Sequence, residues 1–221
     1  MSHSNPLYAA VIFDMDGLVL DTESTYCIAW QRAATKMGMT FTEQFCLSMS
    51  GLHYQDVEAR LLDFCGADFD LKKFSQLSGE YWHEYVDQYG IPVKKGFFNL
   101  ISRLELNNIP FCLATNSRRL NVLECLKLAK IDNVFSEIVT RDDVTEGKPA
   151  ADVFILAAKI LNQPVEHCLV LEDSITGIQA AVGADTRSVF IPSVFPVDEV
   201  AVKLADYYRN DLDEVISLMG L

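Results

Sequence analysis

Short runs of consecutive apolar residues alternate along this chain with longer segments whose apolar positions recur at helical spacing. The runs are AAVIFDM at 9–15, IPFCLAT at 109–115, FSEIVT at 135–140, CLVLED at 168–173 and SVFIP at 188–192. Runs of this kind suit strands buried on both faces, as parallel sheets require. The segments FFNLISRLEL (97–106), ADVFILAAKIL (151–161) and TGIQAAVGA (176–184) carry the helical period and fall where crossovers between parallel strands belong. The alternation predicts an α/β chain with a parallel sheet.

One interval breaks the pattern. Residues 22–92 are far too many for a crossover and show helical periods with no clear strand. YCIAWQRAATKMG, QDVEARLLDFCG and FSQLSGEYWHEYVDQYG each present an apolar stripe and stop at a glycine. The reading is an all-helical domain at 22–92 inserted into an α/β core made of 1–21 and 93–221. The joints near 18–22 and 90–96 include Gly90, Pro92 and Gly96, which suit chain reversal and hinge motion.

Half of the 221 residues are hydrophobic, enough for a substantial core, yet no apolar run approaches the roughly 20 residues that span a bilayer. The first residues lack the basic start and apolar stretch of a secretory signal. Six cysteines are scattered without a CxxC pair, which predicts reduced core thiols and a cytoplasmic location. The net charge of −13 opposes general affinity for nucleic acid or an anionic membrane. No nucleic-acid or membrane partner is expected, and the chain is expected to work as a monomer. An anionic substrate would need a local reversal of the field.

That requirement directs attention to the end of the first predicted strand, where the sequence reads Asp14-Met15-Asp16-Gly17. Open α/β sheets bind ligands at the carboxyl ends of their strands. A turn at Gly17 lets both carboxylates reach one site, and carboxylate oxygens suit a hard cation such as magnesium. A lone DxD more often solvates a turn. Here Thr115 and Asn116 end a second strand, Lys148 precedes a helix, and Glu172 and Asp173 end another strand, all at equivalent ends of one sheet.

These residues carry a resemblance. DMDGLVLDTE at 14–23, ATNS at 114–117, GKPAAD at 147–152 and EDSITGIQAA at 172–181 resemble, in order and spacing, the four motifs of the haloacid dehalogenase-like hydrolases, in the branch with a helical cap after the first motif. The resemblance covers nearly the whole chain and implies a Rossmann-like parallel sheet core. It further implies a magnesium-dependent phosphatase acting on a small phosphorylated metabolite, a sugar phosphate or a nucleoside monophosphate.

In that family's chemistry Asp14 is the nucleophile and becomes an aspartyl-phosphate, while Asp16 is the acid and base. Mg2+ is implied on Asp14, the carbonyl of Asp16 and Asp173, with Glu172 acting through water. Thr115 and the backbone N–H of Asn116 would bind the phosphoryl group, and Lys148 would offset its charge. Leu18, Ala151 and Asp185 depart from common family residues without removing a reacting group.

Two alternatives stand beside this reading. A receiver-like, phosphorylation-dependent binding module uses similar groups, but with adjacent acids after the first strand and no large helical insertion. A phosphosugar mutase of the β-phosphoglucomutase type shares the cap and motifs, but has a histidine and an arginine where this chain has Tyr26 and Tyr54. In the resemblance the cap sets substrate choice, which makes Tyr26, His53, Tyr54 and Arg60 candidates for substrate contact. Arg118 and Arg119, just after the second motif, are candidates for remote groups of the substrate, with a solvated helix start as the alternative.

Overall fold

The computed structural model describes residues 8–49 and 54–221. The chain divides into two compact units, one taking in the chain up to Leu20 together with Pro92–Leu221, the other Asp21–Ile91.

The larger unit is built on a six-stranded sheet whose strands are β1 (Ala10–Phe13), β2 (Phe111–Ala114), β3 (Ile138–Val139), β4 (Cys168–Glu172), β5 (Arg187–Phe190) and β6 (Tyr207–Tyr208). Their order is β3-β2-β1-β4-β5-β6, and every pairing is parallel. The expected α/β fold is therefore present, with the first strand of the chain at the centre. Val11 pairs with both Phe111 and Leu169, so β1 is held on both edges.

Alternation along β1 divides its side chains between two layers. Ala10 and Ile12 face one way and pack with Val153, Phe154 and Ala157 of helix α7 (Asp152–Ile160) and Ala180 and Ala181 of α8 (Ile175–Gly183). Small alanines on both helices allow close approach to the sheet. Phe13 points the other way, into edge-to-face contacts with Phe97, Phe111 and Phe135 at centroid distances of 6.0, 6.2 and 5.8 Å. Phe97 opens α5 (Phe97–Leu106), the first helix after the insertion.

Two elements differ from the sequence reading. The run at 135–140 forms a strand only at Ile138–Val139, because a turn at 132–134 and a bend at 136 precede it. The edge strand β6 was not anticipated: two tyrosines after α9 (Glu199–Leu204) offer neither an apolar run nor an alternation. Helices α6 (Arg119–Leu128) and α10 (Leu212–Met219) complete this unit.

The second unit has no strand among its described residues. It consists of α1 (Thr22–Lys36), α2 (Glu43–Leu47), α3 (Tyr54–Cys65) and α4 (Leu71–Tyr89). Asp21, Thr42 and Asp70 cap α1, α2 and α4 by accepting from backbone N–H groups of the first turn. Cys27, Phe41, Cys46, Leu61 and Phe74 form its core, and the buried Trp82 indole donates to Thr25 Oγ1 at 3.0 Å. All six cysteines are free thiols. Burial pushes Cys46 up to about 12, the mark of a packing thiol and not a nucleophile. Among the described residues no helix is long and apolar enough to cross a membrane.

Phe97 is fully buried. Phe97→Ala should lower unfolding stability by about 3–5 kcal/mol, read as a reduced urea midpoint with an unchanged slope.

Candidate active site

Three adjacent strands deliver the acidic and hydroxyl groups. Asp14 follows β1, and its N–H still bonds the Leu171 carbonyl at 3.0 Å, so the nucleophile candidate is anchored by the sheet ladder itself. Beyond it the chain reverses at once. Gly17 sits at φ +79°, a conformation that L side chains resist, and its N–H reaches the Leu20 carbonyl at 2.8 Å. Thr115 follows β2, Glu172 closes β4, and Asp173 is next. The fourth contribution is Lys148, from the loop before α7.

The centre of the site is the Lys148 ammonium. It donates to Asp14 Oδ1, to Glu172 Oε1 at 2.6 Å and to the Ala114 carbonyl at 3.0 Å. An ammonium has three protons, and all three are placed on protein acceptors. Its charge therefore reaches neighbouring groups through space. The Phe154 ring, 4.7 Å away, covers it from the α7 side.

Glu172 is fully buried, and the structure shows why it tolerates burial. Oε1 takes the Lys148 proton, while Oε2 accepts from Asp173 N, Ser174 N and Ser174 Oγ at 3.0, 3.1 and 2.9 Å. Ser174 also caps α8 through Gly177 N. Gly177 packs directly against this carboxylate: a Cβ there would overlap its carboxyl carbon and both oxygens.

The electrostatics follow from this crowding. Burial raises the Asp14 carboxyl well above the usual carboxylate range, opposed by Lys148 and reinforced by Glu172 and Asp16. Burial alone would lower Lys148, but Asp14 and Glu172 outweigh it and hold the ammonium above its ordinary value. Lys148 stays charged. Asp14 and Glu172 bond the ammonium directly, Asp16 adds negative charge near Asp14 and Asp173 lies beside Asp14 and Glu172, an excess of acid over this ammonium that suits a divalent cation. Asp14, Glu172 and Asp173 each place a carboxylate oxygen within 4.8 Å of the others.

The remaining sequence candidates are distributed as follows. Thr115 is buried at this centre, and its Oγ1 accepts from Ser117 N at 3.1 Å, which keeps its own proton available to donate. Asp16 Oδ2 accepts from Ser117 Oγ at 2.8 Å. The side chain of Asn116 bonds the backbone of Lys148. Arg118 is exposed at the N-terminus of α6. Arg119 is engaged locally, donating to Asp143 Oδ2 at 2.7 Å and the Ile138 carbonyl at 3.2 Å.

In the helical unit Tyr26 stacks on Trp82 at 5.4 Å between centroids, and Arg60 donates to the Ser48 carbonyl at 2.7 Å. His53 lies outside the described residues, as does the side chain of Tyr54, the first residue of α3. Ser117, Ser174 and Gly177 are site residues to which the sequence reading assigned no role. All three lie within quoted motifs, and position there was their only signal.

The profile of the haloacid dehalogenase-like hydrolase family matches residues 11–191. The chain belongs to this family. Among relatives of such hydrolases is a bifunctional riboflavin kinase/FMN phosphatase of Arabidopsis thaliana, 29% identical over 97% of this chain. This chain spans only 57% of that relative's length. A phosphorylated carbohydrates phosphatase of Thermotoga maritima is 28% identical, with 82% of this chain and 83% of the relative aligned. A solved hydrolase of the family from Deinococcus radiodurans, with bound phosphate and sodium, shares the fold at a TM-score of 0.83 and 22% identity, covering 97% of this chain and 96% of its own.

Gly177→Ala should force the Glu172 carboxylate off its donors and lower stability by about 1–3 kcal/mol, as overpacking of a close-packed interior does. Calorimetry of the purified variant measures this as a lower unfolding temperature. An unchanged temperature would show that α8 can shift to make room.

Proposed function

We propose that this chain is a magnesium-dependent phosphatase that hydrolyses a small phosphorylated metabolite, a sugar phosphate or nucleoside monophosphate, through an aspartyl-phosphate on Asp14. The observation that carries the proposal is the placement of Asp14: buried at the end of the central strand, fixed by the ladder, against a charged Lys148 and two residues before a second carboxylate. The relative named for phosphorylated carbohydrates supports the sugar-phosphate class, and the one named for FMN supports a small phosphorylated metabolite more broadly.

In the first step an Asp14 oxygen attacks phosphorus in line. The new O–P bond forms as the bond to the ester oxygen breaks, and Asp16 supplies the proton that the leaving oxygen needs. Ser117, donating to Asp16 Oδ2, holds that carboxyl group in orientation. In the second step water attacks the phosphorus of the aspartyl-phosphate, Asp16 accepts its proton, and Asp14 is released with inorganic phosphate. Thr115 donates to a phosphoryl oxygen together with the backbone N–H of Asn116. Lys148 offsets negative charge on Asp14 and the transferring group without giving up a proton.

The donor set fits magnesium, a hard cation that takes oxygen ligands. Asp14 and Asp173, with the Asp16 carbonyl, would hold it, and Glu172, whose oxygens already serve Lys148 and the 173–174 backbone, would act through water. When bound, the cation supplies positive charge that lets an anionic ester approach anionic Asp14.

Purified protein incubated with a panel of sugar phosphates and nucleoside monophosphates should release inorganic phosphate from at least one, and chelation of divalent cations should abolish the release. Conversion of a sugar phosphate to its positional isomer without phosphate release would identify a mutase instead. Asp14→Asn should fold normally by circular dichroism and lose turnover entirely; appreciable hydrolysis by this variant rules out the nucleophile.

A further inference from the structure

We infer that the side chain of Asn116 is a positioning residue that sets the reach of Lys148. The inference rests on the role of Lys148 in the proposed reaction and deepens it, since the sequence pattern points only to the backbone of Asn116.

Lys148 has no helix or strand to place its backbone. It lies between a 3-10 turn (Arg141–Asp143) and the start of α7. A lysine stem has four rotatable carbons, so the position of the ammonium depends on where its Cα is held. Asn116 supplies that hold. Its Oδ1 accepts from Lys148 N at 2.7 Å and its Nδ2 donates to the Lys148 carbonyl at 3.0 Å. The planar amide thus reads both polar groups of one residue, as a neighbouring strand would. This pairing also fixes which side of the amide is oxygen, because the opposite orientation would set donor against donor and acceptor against acceptor.

Two further contacts press the loop against this clamp. A Cβ on Gly147 would lie 2.6 Å from Asn116 Oδ1 and 2.7 Å from Arg141 Cδ, closer than side chains tolerate. Arg141 braces the same loop from behind, donating to the carbonyls of Val144 and Thr145 at 2.9 and 3.2 Å, and its own N–H reaches the Ser117 carbonyl at 3.1 Å. Asn116 itself is exposed, so core packing does not account for its geometry. The arrangement links the end of β2, which carries Thr115, to the residue whose ammonium lies against Asp14. The Asn116 side chain thereby ties the Lys148 backbone to the strand end that carries Thr115, while the ammonium itself reaches the Ala114 carbonyl of the same strand.

The test uses Asn116→Ala, Asn116→Asp, Lys148→Ala and the Asn116→Ala/Lys148→Ala double variant. The first readout is independent of turnover: acetylation of lysines by acetic anhydride, followed by peptide mass spectrometry. Lys148 should be protected in the wild type and labelled about tenfold faster in Asn116→Ala, with the other lysines unchanged. Asn116→Asp can accept from the N–H but cannot donate to the carbonyl, and should fall between. The second readout is a kinetic cycle on 4-nitrophenyl phosphate or any ester that the wild type hydrolyses. Asn116→Ala should lower kcat about tenfold with little change in KM, and should cost nothing more once Lys148 is alanine.

Unchanged labelling of Lys148, or full additivity of the two substitutions, overturns the inference. Faster labelling of every lysine does the same, since it marks general loosening. A wild type that hydrolyses no phosphate ester refutes the proposed function, and the labelling result then decides by itself whether Asn116 positions Lys148.

Discussion

A protonated amine buried against two carboxylates is the arrangement on which the rest of this site depends. Burying a charge is costly unless it is paired and hydrogen-bonded, and Lys148 meets that condition only because Asp14, Glu172 and the Ala114 carbonyl converge on it. Each acceptor comes from a different strand. The ends of β1, β2 and β4 must therefore stop level with one another, and the loop before α7 must deliver the lysine to the same point. Displacing any one of them removes one of the contacts that compensate the buried charge.

The sheet provides that alignment through its order. With β1 between β2 and β4, the three strand ends that carry the candidate site are immediate neighbours, and the ladder continues as far as the N–H of Asp14. On one face alanine-rich helices pack close against Ala10 and Ile12; on the other an aromatic cluster holds Phe13. The residue preceding the nucleophile candidate is thus immobilised by packing while the nucleophile candidate is immobilised by hydrogen bonding. Rigid placement of this kind is what positioning chemistry demands.

Much of the architecture was legible in the chain because its signals are local. Buried parallel strands read as apolar runs, crossovers read as helical periods, and the long strandless interval stood out by length alone. Tyr207–Tyr208 escaped notice because two residues carry no period, and α2 (Glu43–Leu47), at five residues, is too short to show a stripe. Ser117 and Gly177 were legible only as letters within motifs. Their roles, donating to Asp16 and leaving room for Glu172, depend on partners distant in sequence or hidden by a helix turn.

The sequence by itself determined the α/β class and the family, since both rest on the order and spacing of short segments, which any reader of the chain can measure. Only the tertiary structure decided which groups touch. Lys148 lies 134 positions from Asp14 and 24 from Glu172, and no periodicity spans such gaps. That all three ammonium protons are spent on protein acceptors, that Glu172 serves the lysine and its own loop, and that the Asn116 amide grips the Lys148 backbone are facts of three-dimensional convergence. Side-chain pairing at that range is set by how the packed sheet and loops bring distant backbone together, and the linear order of residues carries no record of it.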